Sequence, residues 1–323
     1  MRYLILGAGA IGGAIGGRLS QHGHDVVLVA RGAHLEALRT TGLELRDPGA
    51  TAVLRIEAVP TAEAAHPRAD DVAILATKSQ HSEALLADLA LVAPPEIAVV
   101  CAQNGVENER LALRRFANTY GMRVILAGTH LEPGVVEIST APLWGILDLG
   151  RYPQGNDALA ERIAEDLRGS GFDARATPAV MSHKYLKLLN NLANAIQAAV
   201  GTADDPVARR LAAAARAEAG ACYAAAGIEV ADEGDEAERR RVRGLTLPVG
   251  GASRDGGSSW QSLRRGTGNI EADWLNGEIV LLGRLHGVPT PVNARLQAVA
   301  NRMAREARAP GSVSAEELAA GLV

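Results

Sequence analysis

The stretch that decides the fold is Arg2-Tyr3-Leu4-Ile5-Leu6-Gly7-Ala8-Gly9-Ala10-Ile11-Gly12. Arg2–Leu6 reads as a short apolar strand and Ile11–Gln21 as the helix that follows it. The glycines between them spell G-x-G-x-x-G. In that setting each glycine has a physical task. The first permits a tight turn, the second lets a pyrophosphate approach the backbone, and the third lets helix and strand pack closely. Unpaired N–H groups at the helix start then face the phosphates. A glycine turn without a ligand is the plain alternative, and the strand–turn–helix context argues against it.

Outward from this turn, short apolar runs alternate with amphipathic stretches. Asp25–Ala30, Asp71–Thr77 and Ile97–Gln103 read as further strands, with a helix at Ser82–Leu91. Apolar strands separated by helices predict a parallel sheet covered on both faces. Val124–Gly128, Val135–Ser139 and Trp144–Asp148 are divided by turn signals such as Pro133-Gly134, and read as an antiparallel extension of that sheet. A helix at Asp157–Arg168 and a short strand at Phe172–Ala176 close this half. Beyond Pro178 the strand signals fade. Helices are expected at Lys184–Val200, Pro206–Ala226, Asp232–Arg243, Ser258–Arg265, Glu271–His286 and Pro291–Arg308, with a glycine-rich loop at Leu247–Gly257. The expected fold is α/β: a Rossmann-type doubly wound sheet with an antiparallel extension over residues 1–176, and an all-helical domain over 177–323.

Composition narrows the function. The chain has 323 residues, 47% hydrophobic and 22% charged, which is ordinary for a globular protein. A net charge of −4 sets up no basic field for nucleic acid, and 3% aromatic residues leave few rings to stack on bases. No uncharged run reaches the roughly 18 residues a membrane helix needs. Cys101 and Cys222 are too far apart in sequence for a zinc spacing and read as two reduced, buried thiols. The expectation is a cytoplasmic protein with no metal, no nucleic-acid partner and no membrane.

Cofactor identity should show at the end of the second strand. An Asp or Glu there would bind a ribose 2′-hydroxyl. This chain has Val29-Ala30-Arg31, no acid and one guanidinium, which suits a 2′-phosphate and predicts NADP(H). Lys78, in Ala76-Thr77-Lys78-Ser79-Gln80, and Asn104, in Gln103-Asn104-Gly105-Val106, follow two more strands at the carboxyl edge where ligands bind. In the helical half, Lys187, Asn190, Asn191 and Asn194 are spaced to share a helix face, with Lys184 one turn earlier as a rival for Lys187. Asn is a poor interior helix residue, so the cluster points to a polar stripe facing a cleft. Ser258-Ser259-Trp260 is expected to cap a helix. Glu271 either serves a site or pairs with Arg264 or Arg265.

Taken in order, these features resemble the ketopantoate reductase (2-dehydropantoate 2-reductase) family. The resemblance rests on Gly7–Gly12, Arg31, Lys78 with Gln80, Asn104-Gly105, Lys187-Leu188 with Asn191, Ser258-Ser259, Glu271 with Asp273, Asn276-Gly277, and His286-Gly287-Val288-Pro289-Thr290-Pro291. It implies NADPH-dependent reduction of a 2-oxo acid, with ketopantoate and a place in pantothenate biosynthesis foremost. Gly7, Ala8, Gly9, Ala10, Ile11, Gly12, Arg31 and Lys78 would face the cofactor. Asn104 would touch both nicotinamide ribose and substrate. Lys187 would be the general acid. Asn191 and Ser259, with Asn194 nearby, would hold the substrate. Glu271 would organise the cofactor ribose and the catalytic lysine. A homodimer is open. Two departures bear on the substrate. Ala195 and Ile196 stand where the family usually carries another asparagine, often followed by proline. Trp260-Gln261-Ser262 stands where an apolar residue and an acid are more familiar. A different 2-oxo acid, or a non-catalytic dinucleotide-binding module, are the competing readings.

Overall fold

Six parallel strands and one reversed edge strand make the central sheet. Its strands are β1 (Arg2–Leu6), β2 (Asp25–Val29), β3 (Glu57–Val59), β4 (Val72–Leu75), β5 (Ala98–Cys101), β6 (Thr119–Leu126) and β7 (Gly145–Arg151). In space the order is β7-β6-β5-β4-β1-β2-β3, with only the β6–β7 pairing antiparallel. The order reverses between β1 and β4, which is where doubly wound sheets bind ligands. Tyr3 and Ile5 enter one buried cluster and Leu4 and Leu6 another, so β1 is covered on both faces. That double burial is why its sequence shows no polar alternation.

The structure, a computed structural model, describes all residues except 203–204, 235–236, 238, 240–243, 252–255, 267 and 323. They fall into two units. The first comprises Met1–Lys184 and Asp232–Arg254, and the second Tyr185–Ala231 and Asp255–Val323. The first is α/β with a mixed, mainly parallel sheet, and the described elements of the second are helical. The segment from Asp232 to Arg254, which the sequence groups with the helical half, packs in the first unit. There Gly244–Thr246 pairs with Thr140–Pro142, and Arg239 binds Asp148 and Asp173. Most of the helix expected at Asp232–Arg243 lies outside the described residues.

Two expectations about strands need correction. Val135–Ile138 does not extend the main sheet. It runs parallel to Leu43–Arg46 in a separate four-stranded sheet that also holds Thr51–Leu54 and Gly128–Thr129. Phe172–Ala176 makes only isolated bridges, Asp173 to Ile146 and Ala176 to Leu149.

The helix Ala10–Gln21 is packed by its glycines. A Cβ on Gly16 would sit 2.8 Å from Ile5 and 2.9 Å from Leu28 of the main sheet. A Cβ on Gly13 or Gly17 would sit 2.8 Å from Val136 or 2.9 Å from Leu45 of the smaller sheet. Residues four apart share a helix face. Gly12 and Gly16 therefore admit one sheet, and Gly13 and Gly17 the other.

The helix that starts at Val180, in the first unit, ends at Asn191 in the second, and a new one runs Asn194–Val200. The single helix expected over Lys184–Val200 is therefore broken at Leu192 and Ala193. The carbonyl of Leu192, freed by the break, accepts from Asn276 Nδ2 at 3.2 Å. Asn276 also donates to Asn293 Oδ1, and Asn293 donates to Glu218. Pro206–Ala226 forms over its expected span, with Asp205 capping it through Val207 and Ala208.

Two glycine substitutions should act in opposite directions. A Cβ at Gly12 would lie 2.1 Å from the Gly7 carbonyl, so Gly12→Ala should cost about 1–3 kcal/mol by overpacking. Gly220 is exposed in the long helix with nothing near it, so Gly220→Ala should gain about 0.5–1 kcal/mol. Urea unfolding of both variants checks this, and equal signs would refute the packing account.

Candidate active site

In the first unit the candidate residues sit at the carboxyl ends of parallel strands. Gly7 leaves β1 at φ +104°. A Cβ there would meet Thr77 Cγ2 at 2.7 Å and Thr77 N at 2.9 Å. The Val29 carbonyl accepts from the Gly7 and Ala8 amides at 3.1 and 3.2 Å, pinning the turn against β2. Gly9 is the cap residue, and the first helical bond runs from Gly13 N to Gly9 O at 2.7 Å. The amides of Ala10, Ile11 and Gly12 thus have no acceptor within the helix. A Cβ on Gly9 would meet nothing within 4 Å. The turn is crowded where glycine must fold the chain and open where a ligand would approach, and this fits a dinucleotide pyrophosphate.

Arg31 follows β2, is exposed, and makes no ion pair among the described residues. No acid stands between Val29 and the helix Gly32–Thr40. Lys78 follows β4, half-buried, at the head of a short turn Ser79–His81. Asn104 follows β5, half-buried, before Gly105 at φ +81°. The two loops are tied together: Asn108 Nδ2 donates to Ser79 Oγ at 3.0 Å and Gln103 Nε2 to Ser82 Oγ at 3.3 Å.

Lys184 is committed to partners inside the first unit. Its ammonium is buried, ion-paired with the fully buried Glu109, and donates to the Gln103 carbonyl at 3.1 Å. Burial pushes the Glu109 carboxyl up, and the Lys184 charge opposes that shift. Beside them burial raises the Cys101 thiol well above its ordinary range, with the Glu109 charge adding to the rise. Cys101 and Cys222 are both free and buried. Lys184 therefore holds the loop that carries Asn104. Sequence reading missed Glu109 because nothing local marks a charged residue in a short helix as buried.

In the second unit Lys187 and Asn191 lie four apart in one helix, both half-buried. Asn190 is exposed and accepts from Arg216 at 3.2 Å. Asn194 begins the next helix, so the uniform stripe of four polar residues does not form. Ser259 is buried inside the helix Ser258–Arg264, and Gly257, not a serine, takes the cap position. The Gly257 amide donates to Gln197 Oε1 at 3.0 Å. A Cβ on Gly256 would fall 2.5 Å from the Trp260 ring, so the indole packs directly on that backbone. Glu271 is buried in a single 3₁₀ turn, Glu271–Trp274, rather than in the long helix expected from it. Burial lowers the Arg265 guanidinium from its ordinary value, and the Glu271 charge acts in the opposite direction. Asp273 accepts from Gln297 and Asn301 at 2.7 and 2.6 Å, which gives it a packing role.

The chain is similar to known proteins along most of its length. Residues 3–154 match the family described as ketopantoate reductase PanE/ApbA, and residues 180–304 match its C-terminal domain. The 2-dehydropantoate 2-reductase of Mesorhizobium japonicum is 30% identical, over 95% of this chain and 98% of that protein. That of Pyrococcus horikoshii is 28% identical, over 97% and 100%. Among solved structures, a PanE/ApbA family ketopantoate reductase from Ralstonia eutropha superposes with a TM-score of 0.79 at 26% identity, over 95% of this chain and all of that one. D-mandelate dehydrogenase, solved with NADH and anilino(oxo)acetate, shares the fold with a TM-score of 0.82 at 22% identity, over 95% and 99%. No described helix is long and apolar enough to cross a membrane.

The Lys184–Glu109 pair gives a direct test of roles. Lys184→Met strands a buried carboxylate and should cost about 3–5 kcal/mol of stability. Adding Glu109→Gln should restore part of it. Unfolding curves for the single and double variants measure both effects, and a Lys184→Met protein of full stability would overturn the anchoring role.

Proposed function

The chain belongs to the ketopantoate reductase PanE/ApbA family, and from that premise we propose that it is an NADPH-dependent reductase of a 2-oxo acid, with 2-dehydropantoate the leading substrate. The observation that carries the reading is the family match across both units, joined to a glycine turn that is open only at Gly9. The relatives' shared activity supports the reaction class. The absence of an acid after β2, with Arg31 in its place, supports NADP(H) over NAD(H).

In this reading Gly7, Ala8, Gly9, Ala10, Ile11 and Gly12 hold the pyrophosphate, Arg31 the 2′-phosphate, and Lys78 faces the cofactor. The reduced nicotinamide supplies the hydride that reaches C2 of the substrate. Asn104 orients the nicotinamide ribose and the substrate. Asn191 and Ser259 hold the substrate's oxygens, and Asn194 lies close to them in sequence. Lys187 stabilises the negative charge that grows on the ketone oxygen and then donates its proton there. Glu271 keeps that lysine charged and orders the ribose. The commitment of Lys184 to Glu109 supports Lys187 as the donor on their shared helix. The protein acts in the cytoplasm, on a small molecule, as a monomer or a homodimer.

Trp260 favours a second substrate within the same class. Its indole packs on Gly256 next to Ser259, and an aromatic or branched 2-oxo acid would suit such a neighbour better than a short one. D-mandelate dehydrogenase, which shares the fold, was solved with an aromatic oxo-acid analogue.

Following NADPH oxidation at 340 nm with ketopantoate and a panel of 2-oxo acids tests the reading. Turnover is expected with at least one branched or aromatic member. Lys187→Ala should lower kcat by about 10²–10⁴-fold. Arg31→Ala should raise KM for NADPH while leaving KM for NADH unchanged. Near-normal turnover without Lys187, or a wild-type preference for NADH, would sink the respective assignments.

A further inference from the structure

The glycine turn is held from behind by a histidine that lies outside the motifs named above. His34 lies in the helix Gly32–Thr40, and its Nε2 is 2.8 Å from the Ala8 carbonyl. Its Nδ1 accepts the Gly134 amide at 2.9 Å, from the turn that leads into Val135–Ile138. A backbone amide can only donate, so Nδ1 carries the lone pair and Nε2 carries the proton. Both ring nitrogens are thereby used, and the ring is neutral. Burial lowers the His34 imidazolium from its ordinary value, in keeping with that state. His130, whose own Nδ1 meets the Val135 carbonyl at 2.9 Å, packs against the ring with centroids 4.3 Å apart.

The Ala8 carbonyl and the Gly9 amide belong to one peptide unit. In a trans peptide the C=O and N–H point in opposite directions. Fixing the carbonyl therefore fixes the amide. The carbonyl is also bounded on the helix side, where a Cβ on Gly13 would come within 2.9 Å of it. With the Gly7 and Ala8 amides spent on Val29, Gly9 N–H, on the opposite edge of the peptide from the held carbonyl, is the next amide of the turn.

We propose that His34 is a positioning residue for the cofactor: by holding the Ala8 carbonyl it aims the Gly9 amide at the dinucleotide pyrophosphate. This rests on the dinucleotide-reductase reading above. It also separates two tasks on one short helix. Arg31 chooses between cofactors, whereas His34 sharpens the site for both, because NADPH and NADH share the pyrophosphate.

Fluorescence titration with NADPH and with NADH measures the effect. His34→Leu removes both hydrogen bonds and should weaken both cofactors by the same factor, about ten-fold, the worth of one well-placed hydrogen bond. KM for the cofactor should rise while kcat at saturation holds. His34→Gln, whose amide offers one donor and one acceptor, should recover most of the affinity. Unchanged affinity in His34→Leu, or a loss confined to NADPH, would overturn the proposal. Should the leucine variant fail to fold, ¹⁵N NMR of the wild-type imidazole decides: the neutral Nε2–H tautomer is required, and an Nδ1–H tautomer or an imidazolium at neutral pH rejects it. A wild-type chain that binds neither cofactor removes the reductase reading itself, an outcome distinct from a histidine that does not matter.

Discussion

The whole first unit depends on how closely one helix can approach two sheets. Ala10–Gln21 carries glycine at 12, 13, 16 and 17, and every one of those positions is buried. Side chains from Ile5, Leu28, Leu45 and Val136 occupy the space that Cβ atoms would need. Glycine in a helix normally costs about 0.5–1 kcal/mol each against alanine. The chain accepts that cost four times, because the close approach buries Ile5, Leu28, Leu45 and Val136 against the helix backbone. The same approach brings the helix start to the end of β1, where the turn must present its amides. Packing and ligand geometry are one constraint here.

A second buried interaction organises the other side of the same sheet edge. Lys184 draws together Glu109, the Gln103 carbonyl and, at 3.5 Å, the Cys101 carbonyl. Cys101 ends β5, and Gln103 lies two residues past it where the chain leaves the sheet. A lysine has three donors and no acceptor, so it can close several such ends at once. A neutral amide in its place would leave Glu109 unneutralised. The ion pair contributes little net stability over an apolar substitute, but removing one half leaves an uncompensated charge. Its effect is therefore to specify one arrangement of the Asn104 loop.

What the sequence revealed followed the range of the interactions involved. The glycine turn was legible because its constraint is local: Gly7, Gly9 and Gly12 each act within a few residues or on the adjoining strand. Six strands of the main sheet were legible as apolar runs, and the three-residue edge strand Glu57–Val59 was not. The smaller sheet was not, because period-two alternation announces a strand without naming its partner. Val135–Ile138 pairs with Leu43–Arg46, whose four residues, two of them buried, are too short a pattern to stand out. The break after Asn191 was invisible for a related reason. The apolar spacing runs on through Leu192, and the group that stabilises the break is an amide from Asn276, far along the chain.

The candidate site divides along the same line. Residues that would touch the cofactor come from strand ends, where polar side chains interrupt apolar runs, so Arg31, Lys78 and Asn104 could be named from spacing alone. Residues that support them come from elsewhere in the chain and look unremarkable in it. His34 and Glu109 sit in short helices beside charged neighbours, with nothing to mark them as buried or bridging. A hydrogen-bonding side chain becomes informative only when its partners' directions are known. At His34 the partner is an amide on one nitrogen and a carbonyl on the other, and that pair of directions settles the tautomer, the peptide plane and the aim of the next amide in turn. Motifs record where a ligand is touched, while the supporting contacts that set the angle of touch are written in tertiary structure.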